Sequence, residues 1–360
     1  GGIAKNGFGT LVLTGDNSYT GSTTVNTGTF TDGITRLGGS LVLRGNGDIA
    51  QSSGITVNAG ASLVLDNMTG FTGIINRIGD TVGITLAGGE LVHIGNNLVA
   101  VNEIVGVITI NAAGTGGGGS SLIRSVWNGA DVALTGSNLA RGTGGTVQFV
   151  AEGAALGGTA NRVRFTGTIA NVLNNTLTWA TLDQDTTNAD LDFVRHIDAI
   201  NGIGAAGFVA SLAGAAATDN VKLTADEALA APKTVNALMI VGSGVDLTGA
   251  GALTLSGGLL VNTGGINSIA SNLDFGATEA LVLVETLSRL AVNGAVSGTN
   301  TLRKDRNGTL ALSGANTGLT GAITVGDGVL EVSNSDALGK VTPSTTLVHA
   351  MAALVLNGNL

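Results

Sequence analysis

The chain has 360 residues, a formal net charge of −9, 59 glycines, two prolines and no cysteine. That balance argues against a nucleic-acid partner, which needs clustered Lys and Arg for phosphate contacts, and it rules out disulfides and thiolate metal sites. Only 11% of residues are charged against 43% hydrophobic, so the chain is not of the disordered class. Aromatics make up 3%, and the apolar content is mainly Ala, Val, Leu and Ile, which suits a narrow core of thin layers.

From the first residues onward the chain reads as short alternating segments bounded by turn formers. Leu11 and Leu13, Leu41 and Leu43, Ile55 and Val57, and Leu63 and Leu65 are spaced by two, which puts each pair on one face of a strand. Gly15-Asp16-Asn17, Gly45-Asn46-Gly47-Asp48 and Asn58-Ala59-Gly60 separate them. Asn-Gly and Asp-Gly steps recur at Asn6-Gly7, Asp32-Gly33, Asn128-Gly129, Asn293-Gly294 and Asn307-Gly308. Such steps turn the chain sharply but serve antiparallel hairpins equally well. The pattern continues through Ile84–Leu86, Val107–Ile110, Val132–Leu134, Thr146–Val150 and Arg162–Phe165, with a glycine-rich loop or corner at 114–119.

Between Asp183 and Pro232 the texture changes: charges cluster, alanine rises, and residues 224–231 have the composition of one or two helical turns. The reading is an irregular insertion around 183–232 in a single elongated segment spanning 1–360. From Val235 the strand pattern returns, as at Leu253-Thr254-Leu255 and Leu281–Val284. Strands of this kind build sandwiches, barrels or solenoids, and the uniform small-residue composition favours the solenoid. At about 22 residues per turn of the stack, a rise of ~4.8 Å per turn is expected.

The strongest internal signal is a repeat. Gly9-Thr10-Leu11-Val12-Leu13-Thr14-Gly15-Asp16-Asn17 returns as Gly308-Thr309-Leu310-Ala311-Leu312-Ser313-Gly314-Ala315-Asn316. Gly21 then aligns with Gly321 and Gly28 with Gly328, and a lysine precedes each copy, Lys5 and Lys304. These residues, with Val329-Leu330-Glu331-Val332 and Ala337-Leu338-Gly339 behind the second copy, resemble the autotransporter-associated β-strand repeat, also called the passenger-associated transport repeat. The second copy departs from the pattern at Gly318-Leu319, where an aromatic is usual and where the first copy keeps Tyr19. The resemblance implies an all-β fold, a right-handed parallel β-helix, in a bacterial secreted or surface-exposed protein. It implies a location outside the cell or on its surface, and a chain that is one segment of something longer.

Chemistry-bearing groups are sparse. Asp183-Gln184-Asp185 and Asp190-Leu191-Asp192 each put two carboxylates on one strand face, the arrangement of a glycosidase pair or of a calcium site. The alternative is a solvated acidic loop, partly neutralised by Arg195 and His196. Gly202-Ile203-Gly204-Ala205-Ala206-Gly207 fits a dinucleotide fingerprint but has no βαβ alternation around it. His93, His196 and His349 are far apart in sequence, and His93 reads as an outward strand position. Trp127 and Trp179 are core or loop anchors, or else sugar-stacking groups. No run of apolar residues is long enough to span a bilayer as a helix.

The expectation is therefore a structural segment: an adhesin shaft or extracellular fibre, self-associating end to end, without catalytic residues, cofactor or metal. The competing readings are a glycan- or host-surface-binding module using the 183–232 loops, and third a polysaccharide-degrading enzyme.

Overall fold

The computed structural model describes residues 1–27, 38–68, 76–111, 119–184, 191–340, 345–350 and 352–358. Among these residues every regular element is a β-strand, and nearly all pairing is parallel. The chain divides into two compact units, Gly1–Ala206 and Gly207–Leu360. The boundary falls inside the interval in which the sequence changes texture.

In the first unit the chain alternates between two sheets. One contains Ile3–Lys5, Thr23–Val25, Ile55–Asn58, Ile84–Ala87, Ile108–Ile110 and Leu139–Arg141. The other contains Thr10–Leu13, Ser40–Arg44, Ser62–Asp66, Glu90–Ile94, Ser121–Val126, Val147–Glu152 and Ala180–Asp183. Each return to a sheet adds a strand parallel to the one before, so every circuit of the chain hydrogen-bonds to its predecessor. A third sheet joins Val101–Val105, Val132–Gly136 and Asn161–Phe165, also in parallel.

The alternation of the sequence becomes columns of like residues. Leu41, Leu63, Leu91, Ile123 and Phe149 are successive register partners, all fully buried. Each such side chain contributes ~1.5–3 kcal/mol by leaving water. On the opposite face of the first sheet, Thr24, Thr56, Thr85 and Thr109 are in register, half-buried beside the core. The glycine-rich stretch expected as a loop lies outside the described residues except Gly119.

Parallel stacking stops at Ala180–Asp183. That strand pairs antiparallel with Leu191–His196, which pairs antiparallel with Ile203–Ala205. Parallel order resumes in the second unit at Asn220–Leu223, followed by Lys233–Val241, Leu253–Thr263, Ala280–Val284, Leu302–Asp305, Ile323–Val325 and Thr346–Val348. Its facing sheet runs Glu227–Ala228, Asp246–Thr248, Ile266–Ile269, Arg289–Val292, Thr309–Leu312, Gly328–Val332 and Ala352–Leu356. Two successive circuits here step by 22 residues, Leu259 to Leu281 to Arg303, while the other register steps of this sheet run from 17 to 23.

The helical turns expected at 224–231 do not form. Glu227–Ala228 is a short strand parallel to Asp246–Thr248, and the Leu229 amide donates to the Thr248 carbonyl at 2.7 Å. Pro232 disfavours the α conformation at the preceding Ala231, and neighbouring strands supply the alternative partners.

Candidate functional site: the repeat lysines and asparagines

The two lysines that precede the repeats stand where the columns call for an aliphatic residue. Lys304 is in register with Val282 on one side and Val325 on the other, continuing the buried column Leu238, Leu260, Val282. Lys5 heads the column Val25, Val57, Leu86, Ile110. Both point into the core, Lys304 fully buried and Lys5 nearly so.

What an ammonium does there is visible in its partners. Lys304 Nζ donates to the main-chain carbonyls of Arg306, Gly308 (2.5 Å) and Asp327 (2.6 Å). The first two belong to the bend leading into Thr309–Leu312, and the third belongs to the next circuit. Lys5 Nζ donates to Gly7 (2.5 Å) and Asn6 (3.2 Å) in the corresponding bend. The ammonium's donors gather carbonyls of a tight bend at one point, and Gly308 among them also accepts the Val329 amide at 3.1 Å. Burial pulls the Lys304 pKa down to about 8, against the opposing pull of Asp327, Asp305 and Glu285. The bends match in backbone as well: Gly7 and Arg306, each two residues after the lysine, have φ of 80° and 71°.

The repeat asparagines make a second staple. Asn316 Nδ2 donates to the Ala337 carbonyl at 2.7 Å, while its Oδ1 accepts the Val296 amide at 2.7 Å. One fully buried side chain thus ties together three consecutive circuits. Asn17 Nδ2 donates to the Asp48 carbonyl at 3.0 Å and to the Gly15 carbonyl at 2.6 Å. The repeat glycines mark where circuits touch. A Cβ at Gly21 would run into the Gly1 carbonyl, and one at Gly321 into that of Asn300.

Only one carboxylate of each candidate pair, Asp183 of the first and Asp192 of the second, lies among the described residues. Asp183 is buried and opposite Leu191, whereas Asp192 is opposite Leu182, so the two carboxylates leave opposite faces of the antiparallel sheet. Asp185 and Asp190 lie outside the described residues. Arg195 Nε donates to the Ala205 carbonyl at 3.0 Å, and burial lowers the His196 pKa. Among the described residues no three potential metal-ligating side chains come together. In the glycine fingerprint, Gly202 is a turn residue with φ of 75° and Ile203–Ala205 is an antiparallel strand, with no helix after it.

Trp179 is fully buried, its Nε1 donating to Ala170 at 3.2 Å under the Arg141 guanidinium, so its ring is closed to a sugar. Trp127 is half-buried. The outward reading of His93 is wrong. Its register partner is Leu65, in the inward column that contains Leu43, and the residue is 1% exposed. Neither ring nitrogen has a partner, and burial together with the Arg77 charge drives its pKa down to about 3. Beside it, Arg77 donates to Asn67 Oδ1 (2.8 Å) and to the carbonyls of Gly47 (2.6 Å) and Asp66 (2.9 Å). Glu103 accepts the amides of Ile78 (2.7 Å) and Arg77 (3.1 Å). Nothing in the strand alternation announced this buried polar cluster, because Arg77 sits in a bend whose partners are main-chain carbonyls.

These features define an all-β protein whose signature residues join one circuit of chain to the next. The passenger-associated-transport-repeat family model matches residues 3–31 and 302–332, so the chain carries two copies of that repeat. The comparisons with curated proteins and with solved structures gave no match.

Proposed function

We propose that the chain is a structural segment of a secreted bacterial surface protein, an adhesin shaft or extracellular fibre, built as a right-handed parallel β-helix and without catalytic activity. The observation that carries this reading is the use made of the repeat's own residues. Lys304, Asn316 and Gly321 are all spent on contacts between successive circuits, and the first two are fully buried. A repeat whose fixed positions face inward specifies a framework that grows by adding circuits. The successive parallel circuits of the second unit, two of them stepping by 22 residues, support the β-helix. The repeat's association with passenger transport supports export to the cell surface or beyond it. Among the described residues no helix is long and apolar enough to cross a membrane.

Electron microscopy of the native material tests the proposal. Rods or fibres with an axial repeat near ~4.8 Å are expected. Compact particles without that repeat would sink it. Labelling of intact cells with an antibody against the chain tests the location, and absence of surface signal in expressing cells counts against export.

A further inference from the structure

We infer that the outer face of the third sheet is a binding groove for an uncharged polysaccharide, a role separate from the shaft function proposed above. The groove, of about 380 Å³, lies outside Val101–Val105, Val132–Gly136 and Asn161–Phe165. Asn102, Ala133 and Arg162 are register partners across these strands and form one row along it. Asn76, Asp80, Asp131 and Ile104 are also in the lining.

Three observations point to a sugar. First, the polar groups are amides, carboxylates and a guanidinium, planar groups whose paired donors or acceptors match two adjacent hydroxyls. They surround the exposed aliphatic side chain of Ile104, with Ala133 buried beneath the row, a mixture of apolar surface and a few placed polar groups that orients a small ligand. Second, Arg162 has donor capacity to spare. Its Nε is buried without a partner, and its nearest carboxylate, Asp131, stands 3.9 Å from Nη2. Its neighbour Arg164 is otherwise engaged, donating to Thr135 Oγ1 at 2.8 Å. A hydroxyl oxygen or ring oxygen would satisfy the orphaned N–H.

Third, the charges balance against an acidic ligand. Asp80 and Asp131 line the same groove as Arg162, so a carboxylated or sulfated chain would meet two negative groups and one positive one. The strands are about 4.8 Å apart, close to the length of one pyranose unit, so successive residues of a linear glycan fall on successive strands of the row. Neither tryptophan lies among the lining residues, and the contact is made through hydrogen bonds and aliphatic carbon.

The test is titration of the purified chain with an array of linear neutral hexaoses of differing linkage, beside hexagalacturonate and sulfated hexaoses. Saturable binding of at least one neutral hexaose is expected, weakened tenfold or more by Arg162→Ala and by Asp131→Ala. Asp192→Asn, on the antiparallel strand of the acidic stretch, leaves that binding unchanged. Ile104→Glu, at an exposed position, blocks the groove without touching the core, and circular dichroism of each variant confirms that it is folded. Absence of saturable binding to every neutral hexaose overturns the assignment. So does binding that survives all three groove substitutions, or binding confined to the acidic hexaoses.

Discussion

Lys304 Nζ lies 2.6 Å from the main-chain carbonyl of Asp327, joining one circuit of the second unit to the next from inside the core. Replacing Lys304 by Met keeps the column apolar but takes the ammonium donor from three carbonyls, of which Gly308 keeps the Val329 amide. A loss of about 3 kcal/mol is expected, since each unpaired buried acceptor costs ~1–3 kcal/mol and the methionine returns part of this as apolar burial. Lys5→Met, with two carbonyls at stake, loses less. Urea unfolding followed by far-ultraviolet circular dichroism measures both, and equal losses would deny Lys304 its link between circuits.

Asn316→Ala removes an acceptor from Val296 and a donor from Ala337 at a fully buried site. The expected cost is about 2–3 kcal/mol, and about 1 kcal/mol for Asn17→Ala, whose side chain is half-buried. Hydrogen exchange separates the two sites: the Val296 amide loses protection in Asn316→Ala and keeps it in Asn17→Ala.

How much of this was legible depended on which residues carried the message. Strand faces were readable because burial follows a period of two, and Leu41/Leu43 and Leu63/Leu65 stand inward as expected. The repeat lysines were visible as fixed positions, but their work was not. A lysine at the end of a strand reads as solvated unless the register with Val282 and Val325 is known. His93 failed for the same reason: alternation within Leu91–Ile94 does not fix a face until Leu65 is placed opposite it. Asp183 and Asp192 belong to different D-x-D pairs, and the antiparallel register of their strands sets these two on opposite faces, a relation that the spacing within each pair does not carry.

The repeat glycines separate two physical causes of conservation of shape within one motif. Gly7 has φ of 80° with open space around its Cα, so Gly7→Ala pays only for the left-handed backbone, about 1 kcal/mol. Gly321→Ala collides with the Asn300 carbonyl of the preceding circuit, and main chain must move to admit it. A loss above about 3 kcal/mol is expected there, by analogy with overpacking in a close-packed core. The ranking is checked by denaturant midpoints, and a milder effect at Gly321 than at Gly7 would contradict the close approach of circuits.

Burial raises the Glu103 pKa to about 7, with the Ile78 and Arg77 amides pulling the other way. The folded state therefore holds the proton more tightly than the unfolded chain. This contribution is fully present below the ordinary glutamate value and is lost as pH rises through about 7. Over that window the first unit loses on the order of 3 kcal/mol from this group. Glu103→Gln flattens the profile between pH 4.5 and 7, and an unchanged slope would remove Glu103 as its source.

His93 acts in the opposite sense. Its folded pKa, about 3, lies below the ordinary histidine value of 6.5, so the unfolded chain takes up a proton that the core refuses. Stability is intact above pH 6.5 and falls as the pH drops toward 3, by on the order of 5 kcal/mol. His93→Leu continues the inward column of Leu43 and Leu65 and removes two buried nitrogens without partners. At pH 7 it is expected to stabilise the first unit by ~1–3 kcal/mol. The larger effect is at acid pH, where the variant escapes the His93 penalty and the gap to the parent widens steadily below pH 6.5. Denaturation midpoints at pH 4 and pH 7 measure that gap, and a difference that stays constant between them would mean that the imidazole is reached by solvent or has found a partner.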